Sequence, residues 1–120
     1  MEPEGAADTV LSLQRGAIVD SYAPDTIADG LRAIVGQRNF EVIRQQVRQV
    51  LTVSDDEIRE AMVLFWQKLK LLIEPSSATV IAAVRKHPEL FGGHKVGAIL
   101  SGGNIHPSDW VALTAYELPG

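Results

Sequence analysis

The sequence of 120 residues contains no cysteine. This absence excludes disulfide bonds, thiolate metal sites and cysteine nucleophiles, and it is compatible with a reducing cytoplasm, where we expect the protein to act. Basic residues are also few, since eleven lysines and arginines stand against fifteen aspartates and glutamates and give a net charge of -4. Phosphate groups bind to basic surfaces, so we expect neither a nucleic-acid partner nor a membrane partner.

Long apolar runs are absent as well. The runs from Met62 to Trp66 and from Val96 to Leu100 are far too short to span a bilayer, which needs about 20 apolar residues. Hydrophobic residues nevertheless make up 46% of the chain, which is enough for a core of modest size. We therefore expect residues 1–120 to form a single domain.

Helix signals dominate the sequence. A first helix is predicted from Ala6 to Gln14, before Gly16, and a turn or short helix is predicted from the cap Asp25 to Ala33. The strongest helix begins at the capping box Ser54 to Glu57, and its apolar residues recur at spacings of three and four. Further helices are predicted from Phe40, from Ser76 or Ser77, and from Pro107 or Ser108 to Leu113.

Two short apolar segments favour β-strands. Val50 to Val53 is rich in β-branched residues, and Val96 to Leu100 is a continuous apolar run, typical of a strand buried on both faces. Strands that alternate with helices predict an α/β layer with parallel pairing. A sheet of two short strands leaves its edges exposed, which indicates that part of the fold is missing from this chain.

Three segments carry polar groups suited to binding or catalysis. Ser101-Gly102-Gly103-Asn104 follows a predicted strand, where α/β sheets bind ligands, although such a glycine pair alone is more often a plain turn. Glu74 precedes a proline and two serines, which alone is more often a junction between helices. The residues from Glu2 to Asp8 offer carboxylates and a carbonyl for Mg²⁺ or Ca²⁺, or they form a solvated acidic terminus.

Five motifs stand in a characteristic order and spacing: Glu2 to Ala6, Asp25 to Leu31, Thr52 to Ile58, Lys70 to Ser77, and Leu100 to Asn104. Together they resemble the fold type II pyridoxal-phosphate enzymes, in the branch of serine racemase and the serine/threonine dehydratases. The resemblance covers nearly the whole chain, up to about Asn104. It implies an α/β fold, namely a fragment of a three-layer parallel-sheet large domain that is rich in helices and has few short strands.

The resemblance also implies which residues face the cofactor. Ser101 would hydrogen-bond the pyridine nitrogen, Gly102 and Gly103 would line the same side of the ring, and Glu74 would lie near its edge. A neutral hydroxyl does not force the nitrogen to be protonated, which suits β-elimination chemistry. The sequence departs from the family after the glycines, where Ile105-His106 replaces the usual Val-Asp.

Two further sites are implied by the same resemblance. Glu2, the carbonyl of Ala6, and Asp8 match the divalent-cation site of members similar to serine racemase. Lys70 and Asn104 fall where the animal racemases bind a nucleotide effector between subunits.

The resemblance places the Schiff-base lysine and the glycine-rich phosphate loop in sequence that would precede Met1. No lysine of this chain stands in the matching context, and Gly92-Gly93 is too short for the phosphate loop. We therefore expect a truncated or split gene product, or an excised fragment, that is inactive alone. Its expected partner is a second copy of this chain or a chain that carries the missing half. Only the complete enzyme would bind the amino-acid substrate, which is serine, threonine or 3-hydroxyaspartate.

A second hypothesis belongs to a different functional class. The chain would be a stand-alone, non-catalytic domain that dimerises or binds a small ligand. Its exposed sheet edges and the apolar helix face around Phe65 and Trp66 would form the contact.

Overall fold

The computed structural model describes residues 1–115. Two parallel strands, β1 (Glu2–Pro3) and β2 (Thr52–Val53), and two 3-10 turns, Glu4–Ala6 and Asp29–Leu31, lie among six helices. No helix in this range is long and apolar enough to cross a bilayer. The helices are α1 (Asp8–Arg15), α2 (Gln37–Gln46), α3 (Asp55–Leu69), α4 (Pro75–Lys86), α5 (Pro88–Phe91) and α6 (Pro107–Thr114).

The sheet is parallel, as the alternation of strands and helices predicts. Glu2 lies beside Thr52 and Pro3 beside Val53. The strand predicted from Val50 to Val53 is confirmed at its last two residues. Strand β1 has only two residues, which is too short to produce a periodic pattern in the sequence.

The strand predicted from Val96 to Leu100 is wrong. These residues have no regular secondary structure, and Ile99 is 82% exposed. A continuous apolar run forms a strand buried on both faces only where neighbouring strands and covering helices exist. Within residues 1–115, no backbone hydrogen bond joins Val96 to Leu100 to a neighbouring strand; the nearest contact along the chain is the bond from the Glu74 amide to the Gly102 carbonyl, at 3.4 Å.

The capping box at the start of α3 is confirmed. The Glu57 amide donates to Ser54 Oγ at 3.2 Å, and the Ser54 amide donates to Glu57 Oε2 at 2.7 Å. The helix ends at Leu69, since Lys70 adopts a left-handed conformation with φ 57°.

Other helix boundaries differ slightly from the prediction. Helix α1 ends at Gly16 as predicted, with φ 74°. Asp25 does not cap a helix, because helical structure begins only at Asp29. Helix α4 begins at Pro75 with Glu74 as its N-cap residue, so Ser76 and Ser77 lie inside its first turn rather than at the cap. Helix α6 begins at Pro107, as expected.

The core lies between α3, α4 and β2, with Trp110 of α6 at one side. Trp66 lies on α3 but is 40% exposed. Part of the apolar surface of α3 is therefore left uncovered. The Trp66 and Trp110 ring centres are 5.8 Å apart. The buried core residues are Ala28, Val53, Ile58, Ala61, Met62, Val63, Ile73, Ala78, Ala82, Ala83 and Trp110.

Candidate cofactor and cation sites

The turn from Ser101 to Asn104 is attached to the first turn of α4 by a serine hydroxyl. Ser77 Oγ donates to the Gly102 carbonyl at 2.7 Å and accepts from the Gly102 amide at 2.8 Å. The Glu74 amide also donates to the Gly102 carbonyl, at 3.4 Å. These contacts bring together two segments that the sequence analysis singles out separately.

The Glu74 side chain lies against the same turn. The Asn104 amide donates to Glu74 Oε2 at 3.0 Å. A Cβ atom added at Gly102 would lie 2.1 Å from Glu74 Oε1, so the carboxylate occupies the space that any side chain at residue 102 would need. Glu74 and Asn104 also line a cleft of about 240 Å³. Glycine at residue 102 therefore permits this close approach of the carboxylate.

Ser101 stands at the exposed end of this arrangement. Its backbone is held through Gly102, while its side chain lies at the surface. A hydroxyl can both donate and accept, so this residue can meet the nitrogen of a pyridine ring in either protonation state.

Lys70 and Asn104 have different partners. Lys70 Nζ donates to the Gln67 carbonyl at 2.9 Å and lies 5.7 Å from the centre of the Trp66 ring, whereas Asn104 contacts Glu74. A nucleotide site formed by Lys70 and Asn104 therefore stays a prediction.

The predicted cation ligands Glu2 and Asp8 are both buried. Glu2 Oε1 accepts from the Thr9 amide at 3.0 Å, and Oε2 accepts from the Val10 amide at 3.1 Å. Glu2 thus caps α1, where the free amides and the helix dipole favour a negative charge. Asp8 Oδ2 accepts from the Val35 amide at 2.7 Å.

These two carboxylates create a negative field around a third side chain. Burial raises the pKa of the Tyr22 hydroxyl, and the charges of Asp8 and Glu2 raise it further. Such a field attracts a cation, and each carboxylate oxygen has a second lone pair to offer. Residues 1–115 contain no group of three or more His, Cys, Asp or Glu side chains suited to a metal ion. The predicted site therefore depends on the Ala6 carbonyl as its third ligand.

The loop that carries these ligands is constrained by Gly5. The Asp25 amide donates to the Gly5 carbonyl at 2.8 Å. A Cβ atom at residue 5 would lie 1.7 Å from the Asp25 carbonyl oxygen. Only glycine allows this approach of two backbone segments.

Sequence reasoning missed Lys86, which joins three elements. Its Nζ lies 2.9 Å from both Glu4 Oε1 and Glu57 Oε2. The hydrogen bonds to Glu57 and then to Glu4 raise the pKa of Lys86. Burial raises the pKa of Glu57, but hydrogen bonds from the Ser54 amide and Lys86 outweigh burial and lower it. No sequence signal predicts these contacts, because Lys86 and Glu4 are 82 residues apart.

Sequence reasoning also missed the role of Ser77. The Glu-Pro-Ser-Ser pattern marks Ser77 as a possible cap, but the contact with Gly102 spans 25 residues. Only the tertiary fold brings these residues together.

This chain is similar to known proteins in sequence and in structure. The family model described as pyridoxal-phosphate dependent enzyme matches residues 1–102 of this chain. The chain belongs to the pyridoxal-phosphate-dependent enzyme family. The match includes Glu2, Glu74, Ser101 and Gly102, the residues around which both candidate sites are built.

Individual relatives agree with this assignment. The chain is 41% identical over 104 residues to a beta-hydroxyaspartate dehydratase of Paracoccus denitrificans, covering 87% of the chain and 33% of that protein. It is 45% identical over 108 residues to a serine racemase of Dictyostelium discoideum, with the same two coverages.

Solved structures show the same similarity. Maize serine racemase superposes with a TM-score of 0.83 at 35% identity over 97% of this chain and 36% of that one. A threonine deaminase isoform of Solanum lycopersicum superposes with a TM-score of 0.85 at 31% identity, over 95% of this chain and 32% of that one. The prediction of a helix-rich α/β fragment of a fold type II enzyme is thereby confirmed. The chain spans about a third of the length of these relatives.

Proposed function

We propose that this chain is the C-terminal segment of a pyridoxal-phosphate-dependent dehydratase or serine racemase that acts on serine, threonine or 3-hydroxyaspartate, and that it is inactive alone. The observation that carries the proposal is the glycine turn fastened to α4, which leaves Ser101 exposed beside Glu74 and Gly102. When bound, pyridoxal phosphate withdraws electrons from the Cα of an amino acid. The cytoplasmic location expected from the sequence remains part of this proposal.

The residues of this chain would bind and orient the ring. The Ser101 hydroxyl would hydrogen-bond the pyridine nitrogen, and Gly102 and Gly103 would allow the backbone to approach the same side of the ring. Glu74 would lie near the edge of the ring, and its Oε2 atom accepts a hydrogen bond from the Asn104 amide.

Glu2, the Ala6 carbonyl and Asp8 would bind Mg²⁺ or Ca²⁺, since these oxygen ligands suit hard cations. Calcium titration of the chain, followed by its thermal unfolding, tests this site. We expect Ca²⁺ to raise the Tm of the wild-type chain but not that of Asp8→Asn. An equal rise in both proteins would contradict the site. A nucleotide that bridges Lys70 and Asn104 is a further part of the proposal, to be tested by ATP titration.

A second polypeptide segment would supply the Schiff-base lysine and the phosphate loop. Lys68, Lys70, Lys86 and Lys95 are all exposed, and Lys86 is engaged by two glutamates. A lysine that forms a Schiff base needs a desolvated or otherwise activated environment. We therefore assign this role to the remaining two-thirds of the fold.

Exposed apolar side chains between the end of α3 and the start of α4, and just before the glycine turn, favour the binding of such a second segment. Leu71, Leu72 and Ile99 belong to two segments without regular secondary structure, which lead to the hydrogen bond between the Glu74 amide and the Gly102 carbonyl. Leu71 is 49% and Leu72 is 41% exposed. Backbone groups in apolar segments outside any sheet are available to pair with further strands.

The experiment compares the chain alone with a complemented complex. The chain is mixed with pyridoxal phosphate and L-serine, L-threonine or 3-hydroxyaspartate, with and without a polypeptide that corresponds to the first two-thirds of a serine racemase. We expect keto acid and a bound-cofactor absorbance band only in the complex. Turnover by the isolated chain would refute its proposed inactivity.

Matched variants make the test specific for the proposed site. Ser101→Ala should lower cofactor affinity in the complex, whereas Ser108→Ala, at an exposed position of α6, should leave it unchanged. Equal affinity in both variants would contradict the role of Ser101.

One observation favours a second candidate function. Three apolar side chains of α3 and α6 are exposed, namely Trp66 (40%), Leu69 (56%) and Val111 (52%). Exposed apolar side chains of this kind also suit the contact surface of a homodimer. Sedimentation distinguishes the two: a concentration-dependent dimer that binds no cofactor supports a non-catalytic, dimerising domain, and a monomer contradicts it.

A further inference from the structure

We infer that Ser77 is the positioning residue for Ser101, because its hydroxyl fixes Gly102 and thereby the direction of the Ser101 side chain. The inference rests on the proposed function only in assigning the cofactor ring as the target of Ser101. The fixation itself is a property of this chain and can be measured without a cofactor.

The hydroxyl of Ser77 satisfies both backbone polar groups of one residue. It donates to the Gly102 carbonyl at 2.7 Å and accepts from the Gly102 amide at 2.8 Å, and Ser77 is only 4% exposed. A single anchor on the N–H and the C=O of the same residue restricts the φ and ψ angles of that residue. Glycine has the widest range of backbone conformations, so this restriction matters more here than elsewhere.

The effect reaches Ser101 through a shared peptide group. The Gly102 amide belongs to the same planar unit as the Ser101 carbonyl. Holding this N–H against Ser77 therefore holds the plane that follows the Ser101 Cα atom. Because Ser101 is exposed, no burial of its own side chain supplies an alternative anchor.

The other contacts on the turn cannot replace Ser77. The Glu74 amide reaches the Gly102 carbonyl only at 3.4 Å, at the long end of hydrogen-bond distances. The bond between the Asn104 amide and Glu74 Oε2 holds the far side of the turn, after both glycines. Loss of the Ser77 hydroxyl leaves the Gly102 amide without this partner.

The chain provides a matched control one residue away. Ser76 lies in the same first turn of α4, and its Oγ accepts from the Gly30 amide at 3.1 Å. An alanine at either position removes one hydroxyl from the same helical turn. Only Ser77→Ala should release Gly102, because Ser76 makes no hydrogen bond to the glycine turn.

The first test is amide hydrogen exchange by NMR in the ¹⁵N-labelled chain. In Ser77→Ala the exchange rate of the Gly102 amide should rise about tenfold while that of Gly30 is unchanged, because a hydrogen bond of ordinary strength is lost. Ser76→Ala should leave the Gly102 rate unchanged, and the Gly30 amide keeps Asp29 Oδ1 as an acceptor at 2.8 Å. An unchanged Gly102 rate, or an equal rise at both glycines in Ser77→Ala, would overturn the inference.

The second test observes the cofactor bound to the complex of this chain with the complementing polypeptide. The ring nitrogen of ¹⁵N-labelled pyridoxal phosphate is observed by NMR in the wild-type complex and in the Ser77→Ala, Ser76→Ala and Ser101→Ala variants. We expect Ser77→Ala to move the nitrogen signal toward its position in Ser101→Ala, with Ser76→Ala unchanged. If only Ser101→Ala moves the signal, Ser77 has no positioning role and the proposed function stands. If Ser101→Ala does not move it, the role of Ser101 in the proposed function fails, and the positioning role fails with it.

Discussion

Among the glycines of residues 1–115, Gly5 and Gly102 are the two at which an added Cβ atom would lie nearest to another atom, at 1.7 Å and 2.1 Å. At Gly5 an added side chain would collide with the Asp25 carbonyl, which is a backbone group. At Gly102 it would collide with the carboxylate at the flexible end of the Glu74 side chain. Backbone cannot move aside without displacing its segment, but a carboxylate can rotate away. The same substitution should therefore have different consequences at the two positions.

Gly5→Ala should destabilise the chain by about 1–3 kcal/mol, because the new methyl group overlaps the Asp25 carbonyl and forces the two segments apart. The measurement is urea unfolding followed by circular dichroism. Gly97→Ala is the control, since an added Cβ atom meets nothing within 4 Å there. A Gly5→Ala variant as stable as Gly97→Ala would contradict the close approach.

Gly102→Ala should cost less stability than Gly5→Ala, because Glu74 can rotate away from the new methyl group. The rotation should break the bond from the Asn104 amide to Glu74 Oε2, at a cost of about 1 kcal/mol. Hydrogen exchange would show faster exchange at Asn104 in the variant. Retained protection of this amide would mean that Glu74 does not occupy the space beside Gly102.

At the scale of secondary-structure elements, α4 connects the two candidate sites. Its first turn holds the glycine turn through Ser77 and Glu74. Its last residue, Lys86, contacts Glu4 beside the cation ligands and Glu57 in the capping box of α3. A change in the position of α4 would therefore reach both sites.

Lys86→Met should lower the free energy of unfolding by about 1 kcal/mol at neutral pH, since the ion pairs lie near the surface. The pKa of Glu57 is lowered in the folded chain, so its contribution is present above the ordinary glutamate pKa and is lost as the pH falls through the lowered value. The pKa of Lys86 is raised, so its contribution is present below the ordinary lysine pKa and is lost as the pH rises through the raised value.

The difference in stability between wild type and Lys86→Met should consequently be largest between these two ordinary pKa values and should shrink toward both extremes of pH. Urea unfolding across the pH range measures it. Arg85→Met is the control, because its ion pair with Glu60 is longer, at 3.3 Å, and more exposed. A difference for Lys86→Met that does not vary with pH would mean that the loss comes from packing.

At the scale of the whole molecule, the chain is a thin slab. Its extents are 46 × 35 × 19 Å. A helix is about 10–12 Å across and layers pack about 10 Å apart, so a thickness of 19 Å accommodates two layers and not three. The apolar segments around Leu72 and Ile99 remain exposed for this reason.

Ile99→Lys should leave the stability of the isolated chain within about 0.5 kcal/mol of wild type, because Ile99 is 82% exposed. The same variant should prevent complementation, since a buried lysine without a partner is costly. Binding of the complementing polypeptide, measured by calorimetry, tests this. Val42→Lys, at an exposed position of α2, should bind as wild type does. Normal binding of Ile99→Lys would exclude this surface as the contact.

Local chemistry was enough to predict several features from the sequence. The capping box at Ser54 and Glu57 and the end of α1 at Gly16 depend on neighbours within a few residues. The family could be recognised from five short motifs because they keep their order along the chain. Glu74 and Asn104 were singled out in separate motifs, and their contact shows that these two motifs lie side by side.

Other features required the tertiary structure because they join distant residues. Val96 to Leu100 has the composition of a buried strand, but a strand is buried only if other segments cover it, and Ile99 is exposed. The sequence by itself determined the capping box of α3, the end of α1 and the family, since these depend on local hydrogen bonds and on the order of motifs. Only the tertiary structure decided that Ser77 holds Gly102 and that Lys86 joins Glu4 to Glu57, because long-range hydrogen bonds and ion pairs leave no periodic pattern along the chain.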